Sequence, residues 1–316
     1  MRFAWMIEPQ QGLSYEEQLA IARHVEAGGF EALFRSDHYQ SFPGPAGLPT
    51  TDAWAVIAGL ARETSRIHLG ALVSPVTFRL PGNMAKVAMT VDEMSGGRVE
   101  LGLGTGWNED EHRQYGFPFP PIEDRAEMLE EQLEIVHGLF HGDDGWSFRG
   151  RHYTIDGALF RSKPPAGRPR IIVGGRGTPR STRIAARFAD EFNITSMEPD
   201  KIREVYGRLD DACRAIGRDP AAIDRSAMIG VLIGADQREV DRRASDLLRM
   251  VGRGDGSDRS WFEERRPRWI AGTPAQAREA VDRYAAAGVE RIMLQSLIPR
   301  DLEMIDLAAA ELVARA

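Results

Sequence analysis

A single cysteine, Cys213, stands among 316 residues, so no intrachain disulfide can form and the chain suits a reducing cytoplasm. Lysine is nearly missing, occurring only at Lys86, Lys163 and Lys201, and none of these ends an expected strand, which argues against Schiff-base chemistry. No apolar run approaches the roughly 18 residues of a membrane span, so no membrane partner is expected. The opening stretch MRFAWMIEPQQG turns polar too soon for the apolar segment of about 7–15 residues in a signal peptide, and export is not expected. Positive charge is not in excess: the net charge is −7 and the arginines are scattered among acids, so nucleic acid is not an expected partner. No His-x-His ends the first strand and no His-Glu-x-x-His occurs. The candidate ligands are His38, His68, His112 and His152, which form no such motif, and no metal is expected.

What is present is alternation. Hydrophobic residues make up 42% and charged residues 28%, as in a globular protein. Short β-rich runs at 2–8, 31–36, 67–74, 99–105, 170–175, 191–195, 226–234 and 291–296 are each followed by a turn and a longer segment with apolar residues near i, i+3, i+4 and i+7. Eight strand-helix units predict a (β/α)8 barrel in a single domain over 1–316. An open doubly wound sheet is the alternative, but the turn after the first strand lacks its Gly-x-Gly-x-x-Gly. Two stretches exceed a minimal barrel: 142–169 reads as a hairpin-like insertion, and 252–270 as a mobile loop.

Reactive groups of such barrels follow the C-terminal ends of the strands. Asp37 and His38 follow strand 2, and histidine exchanges a proton near neutral pH; a solvated loop histidine is the plainer reading. Gly174, Gly175 and Gly177, with Arg176 between them and Arg180 beyond, lie between a strand and a helix. They fit either a phosphate-holding loop at a helix start or an ordinary tight turn. In VELGLGTGWNEDEHRQYG, residues 99–116, an apolar strand runs into glycines, Trp107 and a crowd of carboxylates that reads mostly as the acidic first turn of a helix.

These stretches, together with EALFRSDHY, GALVSPVTFRLPGN, PRIIVGGRGTPRSTRIAARFADEFNIT and IAGTPAQAREAVDRYAAAGVERIMLQ, make the chain resemble the luciferase-like monooxygenase superfamily. The likeness is to its branch using coenzyme F420, an 8-hydroxy-5-deazaflavin. The resemblance implies a deazaflavin ring in the barrel mouth, against a bulge with a non-prolyl cis peptide near Val73 and Ser74. It also implies Asp37 and His38 at the ring edge, and Thr105, Gly106 and Trp107 along the ring and substrate side. Gly174, Gly175, Arg176 and Gly177 would lie on the cofactor phosphate, and Asn193 and Thr195 would add contacts. The implied activity is hydride transfer between the deazaflavin and a small organic substrate, with His38 as proton donor or acceptor and Trp107 beside it. The alternatives are a monooxygenase using reduced FMN and a non-catalytic flavin-binding barrel. The resemblance further implies a homodimer. Where sugar-phosphate dehydrogenases of the superfamily carry a glutamate after Gly-Thr-Gly, this chain has Trp107, which disfavours that chemistry; Glu109 and Asp110 are not assumed to replace the acid. Trp107, Phe117 and Phe119 suggest an apolar or aromatic substrate, or else pack the loop.

Overall fold

The computed structural model describes residues 1–162 and 167–315. Its strands are β1 (Arg2–Ile7), β2 (Ala32–Arg35), β3 (His68–Pro75), β4 (Val99–Gly104), β5 (Trp146–Arg149), β6 (Thr154–Ala158), β7 (Arg170–Gly175), β8 (Glu191–Thr195), β9 (Asp224–Ile233), β10 (Ile270–Gly272) and β11 (Arg291–Ser296). Its helices are α1 (Tyr15–Ala27), α2 (Ala53–Glu63), α3 (Pro81–Ser95), α4 (Glu109–Tyr115), α5 (Ile122–His141), α6 (Pro179–Phe188), α7 (Pro199–Ala215), α8 (Gln237–Met250), α9 (Ser260–Arg265), α10 (Pro274–Ala286) and α11 (Leu302–Glu311). Strands β1, β2, β3, β4, β7, β8, β9 and β11 pair in parallel in that order, and β11 pairs back with β1. This is the closed (β/α)8 barrel that the alternation predicts; the open sheet is excluded because no edge separates β8 from β9.

Alternation along each strand divides two cores. In β1, Phe3, Trp5 and Ile7 face outward into the large cluster shared with the helices, while Ala4 and Met6 face inward with Ala32, Phe34, Leu72, Ile172 and Met293. The helices are set by local signals: Ser14 and Glu17 form a capping box at α1, Thr178 caps α6, and Gly96 ends α3 at a left-handed φ of 75°.

The floor of the barrel is ionic. Arg291, buried to 1%, donates to Glu100 at 2.6 and 2.9 Å and to Glu191 at 3.0 Å. Burial works against the ionised form of Glu100, but Arg291 and His68 hold its carboxyl below the usual range. Burial, then Glu100 itself, pushes Glu191 up despite Arg291. One guanidinium thus serves two buried carboxylates that repel one another, and its Nε also lies 3.0 Å from Glu31.

The first insertion is a hairpin, β5 with β6 antiparallel, its Trp146 seated on Gly138 of α5, where an added Cβ would lie 2.0 Å from the ring. Residues 163–166 of that insertion lie outside the described residues. The second insertion differs from the expected loop: it holds α9, and Trp269 packs over Gly230 of β9 and against Phe262 and Trp261 at 6.1 Å each. Phe262 and Trp269, both buried, and the partly buried Trp261 give this segment a core that its glycines and arginines conceal.

Candidate active site

The C-terminal strand ends gather at one mouth, and the loop after β2 is its most constrained wall. Asp37 is buried and accepts from Arg79 at 2.5 Å and from the Ser74 hydroxyl at 2.7 Å; Ser74 in turn accepts from the Trp54 indole at 2.9 Å. Arg79 also donates at 2.7 Å to Asp52, which caps α2 and accepts from the Tyr39 hydroxyl at 2.8 Å. Burial opposes the charge of Asp52, yet the Ala55 N–H and Arg79 keep its carboxyl below the ordinary range. Burial, and then the bond to Asp52, pushes the Tyr39 phenol well up, so that it remains a donor. Asp37 and Ser74, both expected beside the cofactor, are therefore bonded to each other and to the frame.

His38 is held differently. Its Nδ1 lies 2.8 Å from Glu111 Oε1, and Glu111 Oε2 accepts the Tyr39 N–H at 3.0 Å. Phe42 and Trp107 stand edge-on to the imidazole, with centroids at 4.4 and 5.8 Å, and edge-on to each other at 5.3 Å. Among the described residues no protein group bonds Nε2.

Opposite, β3 breaks register between Ala71 and Ser74, and the Leu72–Val73 peptide is cis. The Val73 side chain lies over Gly102, Gly104 and Gly174, whose added Cβ atoms would come within 3.0, 2.6 and 2.9 Å of it. Beyond β4, Gly106 has a φ of 74° and backs onto Pro75 and Thr77. His112 then staples this loop from beneath: its Nδ1–H donates to the Asn108 carbonyl and its Nε2 accepts from the Thr77 hydroxyl, both at 2.6 Å. Burial pushes the His112 pKa down, in keeping with that neutral, fully bonded role. Trp107, 61% exposed, projects from the loop at the His38 side. Phe117 packs on Phe78 at 4.6 Å, and Phe119 lies under the Arg125 guanidinium at 3.7 Å. Of the three aromatics weighed for substrate, two are engaged in packing the loop.

The glycines after β7 have neighbours of their own. An added Cβ at Gly175 would reach Ser181 at 2.9 Å, and one at Gly177, where φ is 72°, would meet Val205 at 2.4 Å. Arg176 is exposed at the start of α6, whereas Arg180 is tied to Glu130 at 3.0 Å. Asn193 points into the barrel and donates to Ser226 at 2.9 Å; Thr195, two residues on, is exposed at the mouth.

The histidines weighed as metal ligands are dispersed. His68 lies beside Glu100 on the barrel floor at 3.2 Å, His112 beneath the loop, and His152 by the hairpin. Asp124, Glu127 and His152 have ligand-type atoms within reach of one another, but Arg151 bonds both carboxylates, at 3.2 and 2.5 Å. Among the described residues no helix is long and apolar enough to cross a membrane.

The sequence matches the family described as luciferase-like monooxygenase over residues 1–291. The chain belongs to this family. The F420-dependent glucose-6-phosphate dehydrogenase of Nakamurella multipartita is 34% identical over 199 residues, a match that covers 62% of this chain and spans 56% of that enzyme's length. The enzyme of the same name from Nocardia farcinica is 29% identical over 324 residues, covering 95% of this chain and 93% of its own. An F420-dependent secondary alcohol dehydrogenase, solved in complex with an F420-acetone adduct, shares the fold: TM-score 0.85 at 18% identity, covering 100% of this chain and 99% of that one.

Family membership leaves two residues of this mouth that sequence reasoning passed over. Glu8 follows β1 and is 6% exposed; it accepts from Gln295 at 2.5 Å and from Gln10 at 2.8 Å, and forms no ion pair among the described residues. Gln10 also donates to the Phe42 carbonyl at 3.2 Å, linking this carboxylate to the loop carrying His38. The available signal was an acid closing the expected strand at 2–8. Glu111 is the second. In the sequence it reads, with Glu109 and Asp110, as helix-start charge; those two are exposed, but Glu111 is only 1% exposed, against His38. No local signal separates it from its neighbours.

Proposed function

We propose that this chain is a coenzyme F420-dependent oxidoreductase acting on a small organic substrate. The observation that carries the reading is His38: an imidazole fixed through Nδ1, edged by Phe42 and Trp107, whose Nε2 has no protein partner among the described residues. The relatives named F420-dependent, one of them aligned over 95% of this chain, support the same cofactor here. The residues at the mouth fit such a group. Val73 over its three glycines offers a flat apolar backing, and the exposed Arg176 at the start of α6 suits a phosphate beside Gly174, Gly175 and Gly177. When bound, the deazaflavin supplies a carbon centre, C5, that takes up or gives a hydride.

The chain's own residues do the remainder. As hydride leaves a substrate carbon, His38 Nε2 takes the proton from the attached oxygen; in the reverse direction it returns that proton, so the pair transferred sums to one hydride and one proton. Phe42 and Trp107 set apolar ring edges against the imidazole. Trp107, in place of the glutamate of sugar-phosphate dehydrogenases, favours a substrate with an apolar face rather than a sugar phosphate. Thr105, Gly106 and Thr195 line the same opening, and the whole chain, 1–316, works as one barrel domain.

Two measurements test this. Titration of the purified protein with F420 and with reduced FMN, followed by fluorescence, is expected to show binding of F420; tight FMN binding without F420 binding would replace this reading by that of a monooxygenase. His38→Ala is expected to lower turnover about 10²–10⁴-fold in protein that still binds F420. Unchanged turnover would remove the proton role.

A further inference from the structure

We propose that Glu111 is a positioning residue that selects the tautomer of His38, keeping the proton on Nδ1 so that Nε2 meets the mouth as a bare acceptor. The inference rests on the proton role proposed for His38 and adds a group that neither the family match nor the sequence motif assigns.

With Glu111 ionised, the geometry leaves one assignment. A backbone N–H only donates, so Glu111 Oε2, at 3.0 Å from the Tyr39 nitrogen, accepts. A carboxylate has no proton to offer at its second oxygen either, so Oε1, at 2.8 Å from His38 Nδ1, also accepts, and Nδ1 must carry the hydrogen. In a neutral imidazole the lone pair then belongs to Nε2. When Nε2 gains a proton, the same contact becomes a charge-assisted pair, which stabilises the product of the transfer without moving any group.

The placement of Glu111 argues for more than a helix-start charge. Acids in a first turn gain their dipole energy at the surface, as the exposed Glu109 and Asp110 do. Glu111 is instead 1% exposed, and among the described residues its ion-pair partner is His38 alone. Burying a carboxylate is costly unless its oxygens are bonded, and the two donors that meet it come from consecutive residues, His38 and Tyr39. The two bonds fix the ring's tilt as well as its tautomer.

The test uses Glu111→Gln, nearly the same shape with one oxygen replaced by NH2. If the amide oxygen accepts the Tyr39 N–H, the NH2 donates to His38 Nδ1 and drives the proton to Nε2. In the opposite orientation two donors face each other at Tyr39. The full-length, cofactor-free protein, labelled with 15N-histidine, is examined by long-range proton–nitrogen NMR at about pH 8, where an ordinary imidazole is neutral. The expected result is protonated Nδ1 and bare Nε2 at His38 in the native protein, and the reverse in the variant. In turnover assays the variant is expected to lose kcat by about 10²–10⁴-fold with KM little changed. Protonated Nε2 in the native protein, or an unchanged tautomer in a folded Glu111→Gln, overturns the inference. The native spectrum alone can do so should the variant fail to fold. Failure of the underlying reading looks different: His38→Ala would keep full turnover while the tautomer results stood.

Discussion

Val73 and the three glycines beneath it make a quantitative prediction. An alanine at 174 would put its Cβ 2.9 Å from one Val73 methyl and 3.1 Å from the other, closer than such atoms sit, and both methyls belong to one short, branched side chain that cannot swing both away. Overpacking of this kind costs about 1–3 kcal/mol. Alanine returns about 0.4–1 kcal/mol by narrowing the unfolded ensemble, since Gly174 does not use a left-handed φ. Gly174→Ala is therefore expected to destabilise by about 0.5–2 kcal/mol, read as a lower urea midpoint at an unchanged slope. Val73→Ala removes two methyls from a partly buried side chain and should cost about 1–2 kcal/mol alone. In the double variant the contact no longer exists, so the combined loss should fall short of the sum by about 1–2 kcal/mol. Strict additivity, or a neutral Gly174→Ala, would refute the claim that Val73 is what requires glycine at 174.

Two further outcomes follow from the ionic parts of the fold. Arg291→Met leaves Glu100 and Glu191 buried without their shared cation and should cost about 3–5 kcal/mol in urea unfolding, largely regained when both acids are also changed to glutamine; a loss below about 1 kcal/mol would contradict this. Asp190 is opposed by burial, but Arg168, at 2.5 and 2.7 Å, and the Ile171 N–H hold its carboxyl below the ordinary range. A lowered folded-state pKa adds stability that is complete above the ordinary carboxylate range and lost as pH falls through the folded value. Asp190→Asn should thus destabilise by about 1–2 kcal/mol near neutrality and progressively less below about pH 4, in urea midpoints measured against pH.

The barrel was legible because its signals are local. Each strand and helix is written in a short window of apolar spacing, with caps such as Ser14-Glu17 and stops such as Gly96 one turn away. The second insertion reads from sequence as a mobile loop because its order comes from Trp269 meeting Gly230, Trp261 and Phe262, contacts that glycine- and arginine-rich composition does not announce. Phe117 and Phe119 likewise declared their apolar character but not their neighbours.

By itself, then, the sequence determined the strand-helix count, the closure it implies, and the loops that must meet at the mouth, because periodicity and turn chemistry act over a few residues. It also singled out His38 and Trp107. Only the tertiary structure decided which groups those residues answer to. Glu111 reaches His38 across 73 positions, Arg79 reaches Asp37 across 42, and Glu8 reaches Gln295 across 287. Closing the barrel brings these strand ends together, and burial there makes each carboxylate depend on its particular donors, a choice that no single stretch of chain contains.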